Sequence, residues 1–198
     1  MKFSTPVFLT SLCISLLIGG AIGFFAGVAS TNAGMEFLEN MVSTERLADI
    51  KETQKINRDK FKFEFPGNWS VNKHEDDYDP DTMFSVDSPG STYVLFMFDD
   101  VETEPSENLQ QQVEAFSNLM GKVSTSKYNT YGKLKGEGAI VKGKIFGLKV
   151  TVKIFTTFIH GTSVIIVQQS HDEDLRYVKN GLDLIETTFQ IKPINHSK

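Results

Sequence analysis

The run His74-Glu75-Asp76-Asp77-Tyr78-Asp79-Pro80-Asp81 places five carboxylates within eight residues, a dense set of hard oxygen donors. Asp77, Asp79 and Asp81 alternate as in the first half of a calcium loop, where oxygens at positions one, three and five meet the cation. The pattern then departs. Position six is Thr82 where such a loop needs glycine, and position twelve is Ser88 in place of a bidentate glutamate. A solvated acidic loop between two strands is the plainer reading. Asp77, Asp79 and Asp81 are nevertheless the candidate ligands for calcium, and His74 hints at a transition metal instead.

Catalytic chemistry finds little support. His74, His160, His171 and His196 sit in separate segments without metal-ligand spacing. His160-Gly161 reads as a hairpin turn, His171 as the first turn of a helix, and His196 as part of the tail. No nucleophile elbow, phosphate loop or dinucleotide fingerprint is present. Cys13 is the only cysteine, so a domain beyond it has no disulfide, zinc–thiolate site or cysteine nucleophile. The sequence predicts no enzyme and no cofactor beyond that calcium candidate.

A third set of residues is cationic. Residues 61–125 hold 13 acids and 3 bases, whereas 126–198 hold 11 bases and 6 acids. With Gly136-Glu137, Phe146-Gly147 and His160-Gly161 taken as two-residue turns, Lys135 pairs with Gly138, Ile145 with Leu148, and Ile159 with Thr162. Ala139, Val141 and Ile145 then share a face with Leu148, Val150, Val152 and Ile154. Lys133, Lys142, Lys144, Lys149 and Lys153 share the other. Lys144 falls directly opposite Lys149, and like charges at that separation are destabilising. An anionic group is therefore expected nearby: the chain's own acidic half at 75–81 or 99–107, an acidic partner, or anionic lipid headgroups. The chain's net charge of −5 and the absence of a recognition motif give no reason to expect nucleic acid.

The elements that must hold these residues begin with an uncharged stretch. Between Lys2 and Glu36 the only ionisable side chain is Cys13, and Pro6 to Ala29 is a run of 24 residues. As a helix it measures about 36 Å, enough to cross a hydrocarbon core of about 30 Å with some tilt. Residues 1–30 are thus a signal anchor or transmembrane segment; small residues at Val28-Ala29-Ser30 and Thr31-Asn32-Ala33 keep cleavage by a signal peptidase open. Gly19, Gly23 and Gly27 lie in a stripe of small residues repeating every fourth position, a spacing that lets membrane helices pack closely and pair in a homo-oligomer. Lys2 before the span and Glu36 and Glu39 after it orient residues 36–198 across the membrane, in a periplasmic or extracellular location.

Residues 31–60, of mixed charge, are expected to form a partly helical stalk, with a flexible linker as the alternative. Residues 61–192 form the globular domain and 193–198 a tail. Phe61-Lys62-Phe63-Glu64-Phe65 is a strict period-2 strand, Pro66-Gly67-Asn68 a turn, and Trp69 a core residue. Further strands are expected at Met83–Val86 and Tyr93–Phe98. A helix fits 106–120, with Leu109, Val113, Phe116 and Leu119 on one face. A long β region covers 127–169. A second helix opens with a capping-box pattern, Ser170-His171-Asp172-Glu173, and buries Leu175, Val178, Leu182 and Ile185. A short strand at Thr188–Ile191 ends the domain.

This ordering resembles the PsbP-like α/β-sandwich domains, a group that includes DcrB-like envelope proteins. The resemblance rests on Phe63-Glu64-Phe65-Pro66-Gly67-Asn68-Trp69, on a helix running into Ile185-Glu186-Thr187-Thr188-Phe189-Gln190-Ile191, and on the antiparallel meander between them. It covers residues 61–191, and its motifs are structural. It implies an α+β fold, an antiparallel β-sheet packed with helices, in a non-catalytic protein that is membrane-associated or periplasmic. The expected function is a membrane-anchored extracytoplasmic binding or assembly module that docks an envelope or membrane protein. The alternative is a periplasmic carrier or sensor of a small ligand or cation.

Overall fold

A computed structural model describes residues 47–72 and 81–193, all within the compact unit Glu45–Lys198. In chain order the elements are β1 (Thr53–Asn57), β2 (Phe61–Pro66), β3 (Ser70–Asn72), β4 (Met83–Asp87) and β5 (Tyr93–Asp99). They continue with α1 (Pro105–Met120), β6 (Ser124–Tyr131), β7 (Leu134–Ile145), β8 (Leu148–Ile159), β9 (Thr162–His171), α2 (Leu175–Thr188) and β10 (Gln190–Ile191). The strands form a three-stranded sheet, β1-β2-β10, and a seven-stranded sheet, β3-β4-β5-β9-β8-β7-β6. Every pairing among them is antiparallel.

The aromatic alternation of β2 explains how the two sheets meet. Phe61, Phe63 and Phe65 are buried on one side of the strand while Lys62 is exposed on the other. Their rings lie against the large sheet: Phe61 stacks on Phe98 with centroids 4.3 Å apart, and Phe63 on Phe96 at 4.7 Å. α2 adds Val178, Leu182 and Ile185 to the same core, and Phe189 follows from its C-terminus. Each such side chain contributes roughly 2 kcal/mol of burial. α1 covers the opposite face of the large sheet over β7 and β8. Thr156 Oγ1 donates to Pro105 O at 2.7 Å, and Asn108 Nδ2 donates to Ser163 Oγ at 3.0 Å. The layers are α1, the seven-stranded sheet, then the small sheet with α2.

Several elements differ from the sequence expectation. The described part of 31–60 is not a helical stalk. Ala48 is in the core with its N–H donating to Tyr177 O, and Thr53–Asn57 pairs with β2. The reason is that β2 lies in mid-sheet and needs a partner on each edge for its backbone groups. β1 supplies one with the sequence Thr-Gln-Lys-Ile-Asn, whose faces are too alike in polarity to show a period of two. The β6–β7 turn is Gly132-Lys133, not Gly136-Glu137. Gly136 lies inside β7, where an added Cβ would sit 2.3 Å from Thr156 O, so this glycine marks a close approach of strands. Lys135 accordingly faces Thr130, and Gly138 faces Tyr128.

α2 starts later than expected, because β9 continues to His171. Its N-cap residue is Asp174, which makes no capping side-chain bond; its carboxylate instead accepts from Ser91 Oγ. Leu175 is exposed, while Val178, Leu182 and Ile185 are buried as the spacing predicted. In α1 Leu109 and Phe116 are buried, Val113 and Leu119 half-buried. Residues 194–198 of the tail, the uncharged span and Gly19, Gly23 and Gly27 lie outside the described residues. Among the described residues no helix is long and apolar enough to cross a membrane.

Candidate docking surface

The β7–β8 hairpin brings together most of the lysines singled out in the sequence. Its turn is Phe146-Gly147, with φ of 50° and 86°, and Ile145 faces Leu148. Two successive positive φ values give the turn geometry that matches the strands' right-handed twist. Phenylalanine is a poor choice for the first of them, since a bulky side chain is strained there. Lys144 stands directly opposite Lys149, as the register predicted, with Lys142 two residues behind. All three lysines are exposed. Among the described residues none of them has a carboxylate within ion-pair distance.

The hairpin also extends past its neighbours. β6 pairs with β7 only as far as Lys142, and β9 pairs with β8 only from Val150. Residues 143–149 therefore make a finger with an apolar tip, where Phe146 is 74% exposed and Leu148 46%. On the far side of β7 lies β6, the edge strand of the large sheet, mostly exposed along its eight residues.

Lys153 does not belong with this group. Its ammonium donates to Glu186 Oε2 of α2 at 2.5 Å and lies 5.0 Å from the centre of the Tyr128 ring and 5.5 Å from that of Tyr131. It is a structural cation joining the sheet to α2, and the acid that meets it comes from neither 75–81 nor 99–107. Burial, then the Glu186 charge, push the hydroxyls of Tyr128 and Tyr131 well above the usual tyrosine range. Both hydroxyls are engaged as neutral groups: Tyr128 donates to Ile154 O, and Tyr131 accepts from Gln168 Nε2. Lys133 occupies the β6–β7 turn, away from the finger.

The other candidates come apart. Asp77, Asp79 and His74 lie outside the described residues, as does His196. Asp81 is described and faces Arg58, with Nε 3.7 Å from Oδ1. His160 and His171 sit at opposite ends of the β8–β9 pairing, one in the turn and one in the last position of β9, so they cannot share a site. Among the described residues no three histidine, cysteine or carboxylate side chains cluster as metal ligands. Trp69 is buried, as expected of a core residue. Sequence reasoning missed the tip itself. Phe146 was read only as a turn residue, although an aromatic next to glycine between two lysines was the available signal.

No family model and no curated protein matches the chain. Among solved structures, it is similar to the Ran-binding protein Mog1p of Saccharomyces cerevisiae, with a TM-score of 0.50 and 11% identity over 72% of this chain and 96% of that one. Two further similar structures are cyanobacterial PsbP (CyanoP) from Synechocystis and LpqN of Mycobacterium tuberculosis. The first has a TM-score of 0.47 and 10% identity, covering 72% and 94% of the two chains. The second, described as involved in cell envelope biogenesis, has a TM-score of 0.45 and 14% identity, covering 74% and 99%. The Mog1p likeness agrees with an α+β domain built on an antiparallel sheet. At such identity it speaks for the fold alone.

Proposed function

We propose that this chain is a membrane-anchored, extracytoplasmic, non-catalytic module that docks an envelope or membrane protein through the β6–β7–β8 end of its large sheet. One observation carries the reading. Lys142, Lys144 and Lys149 form an exposed cationic group with no ion-pairing carboxylate among the described residues, whereas Lys153 in the same hairpin is neutralised internally. Two lysines held face to face across a ladder repel each other, so the arrangement gains from an anionic partner. The open edge of β6 beside them offers unpaired backbone groups to the same partner.

The uncharged run from Pro6 to Ala29 supports anchoring, and the flanking charges support the extracytoplasmic side. The PsbP-like motifs, and the resemblance to DcrB-like envelope proteins drawn from them, fit such a setting. A calcium-binding role for Asp77, Asp79 and Asp81 is the weaker companion proposal, since Asp81 faces a guanidinium.

Co-purification of the full chain from membranes in mild detergent tests this reading. Changing Lys142, which pairs with Ser124 of the β6 edge, to glutamate is expected to lower partner recovery several-fold, while the circular dichroism spectrum and unfolding midpoint stay unchanged. Full recovery by the folded variant would remove this surface from consideration.

A further inference from the structure

Large apolar side chains are exposed unevenly over the domain. β8 begins and β9 ends at the same end of the large sheet, where Val150 faces His171 and the Asp172 N–H donates to Lys149 O at 3.1 Å. α2 starts at this end with Leu175 exposed. Its first turn accepts, through Tyr177 O, the N–H of Ala48, with Leu47 exposed beside it. The finger with Phe146 and Leu148 projects from the same end. Among the described residues, other exposed large apolar side chains lie elsewhere: Val71 on the edge strand β3, and Val101 after the opposite end of β5.

We infer that this end of the domain rests on an anionic bilayer surface, with Phe146 and Leu148 dipping into the headgroup region and Lys144 and Lys149 meeting the lipid phosphates. The inference rests on the reading of the chain as membrane-anchored, and adds what the finger touches. Three observations single out lipid as the occupant. The tip pairs an aromatic side chain with two cations, the combination that suits a layer apolar beneath and negative above. The two lysines have no ion-pairing acid among the described residues; of the nearby carboxylates, Asp172 accepts from Thr151 Oγ1 at 3.0 Å, and Glu173 makes no ion pair with them. Finally, Leu47 and Leu175, both exposed, lie at this same end and extend the apolar surface that the tip begins. With an anchor in the same chain, the domain meets lipid at an effective concentration on the order of millimolar, so two apolar side chains suffice without a deep insertion. With the finger in the headgroups, the Lys142 face and the β6 edge stand alongside the membrane, where a neighbouring membrane protein could reach them.

The test uses the full chain with Cys13→Ser and a single environment-sensitive fluorophore on Ile145→Cys, next to the tip with Phe146 kept, reconstituted without other proteins into vesicles of phosphatidylcholine with or without phosphatidylglycerol. His160→Cys, at the far turn of β8–β9, is the matched control. Nitroxide-labelled lipids are expected to quench the Ile145 label at least about twofold more than the His160 label in the anionic vesicles. The difference should vanish in roughly 1 M salt, where screening shortens to about 3 Å. Equal exposure of the two labels in both vesicle types would overturn the inference. So would shielding that develops only after solubilised membrane proteins are added, which would assign the finger to a protein partner. Alkaline carbonate extraction of the same vesicles reads the anchor separately. A retained chain with an aqueous tip overturns only the lipid contact. A released chain overturns the anchor, and its flotation with anionic vesicles then decides the tip by itself.

Discussion

At the scale of single residues, the domain treats its charges in two distinct ways. Lys153 is drawn into a half-buried cluster with Glu186, Tyr128 and Tyr131, whereas Lys144 and Lys149 are left in water on the same hairpin. The cluster has a measurable consequence in alkali. Tyr93, Tyr128 and Tyr131 all have hydroxyls pushed above the ordinary value of 10.0, first by burial and then by nearby Asp87 or Glu186. Above pH 10 the unfolded chain gives up these protons while the folded chain keeps them. The unfolded state then binds fewer protons, so stability is intact below pH 10 and falls as pH rises, by up to about 1.4 kcal/mol per pH unit for each tyrosine. Three of the chain's five tyrosines are expected to stay protonated past pH 10 and to ionise together with unfolding, followed by tyrosinate absorbance against circular dichroism. Gradual ionisation of all five in a folded protein would contradict the burial described for them.

At the scale of elements, what could be read from the sequence divides by the kind of signal each segment carries. β2 was legible because three phenylalanines alternate with charges, and the Phe146-Gly147 and His160-Gly161 turns because glycine falls between regular strands. β1 was not legible, since its place is fixed by the backbone needs of β2 and not by its own polarity. Gly136 misled because glycine marks both turns and close backbone approach, and only the fold decides which. Gly181 shows the same double meaning within α2. Helix propensity alone would favour alanine there by about 1 kcal/mol. An added Cβ, however, would stand 2.6 Å from Trp69 Cζ2 and 2.7 Å from Pro66 Cγ, both in stiff rings. Overpacking of this kind costs about 1–3 kcal/mol, enough to reverse the sign. Gly181→Ala is expected to lower the urea midpoint, with a net loss of about 1 kcal/mol. A midpoint raised by the substitution would mean that α2 sits further from β2 than the packing of Trp69 requires.

At the scale of the whole molecule, the division into an acidic and a basic half was legible, but its meaning was not. Among the described residues, which include only Asp81 of the first acidic stretch, the lysines pair with neither of the two stretches expected to balance them. One is taken by Glu186 and three face outward, an outcome that depends on the course of α2 across the sheet and on how far the hairpin outruns its neighbours. A docking face of three lysines and a two-residue apolar tip is weak taken singly, and its use depends on how many copies act together. Here the stripe of Gly19, Gly23 and Gly27 becomes relevant as a proposed pairing face in the anchor. Two paired anchors would present two fingers to one surface, and the second contact would form at the raised effective concentration set by the first. Gly23→Ile fills the centre of that stripe with a branched side chain and blocks close approach of two helix backbones. Cross-linking in native membranes is expected to show the dimer fraction falling several-fold, with partner recovery in mild detergent reduced alongside it while the domain's unfolding midpoint is unchanged. A dimer fraction unaffected by Gly23→Ile would leave the stripe without a role in pairing and the finger acting as a single contact.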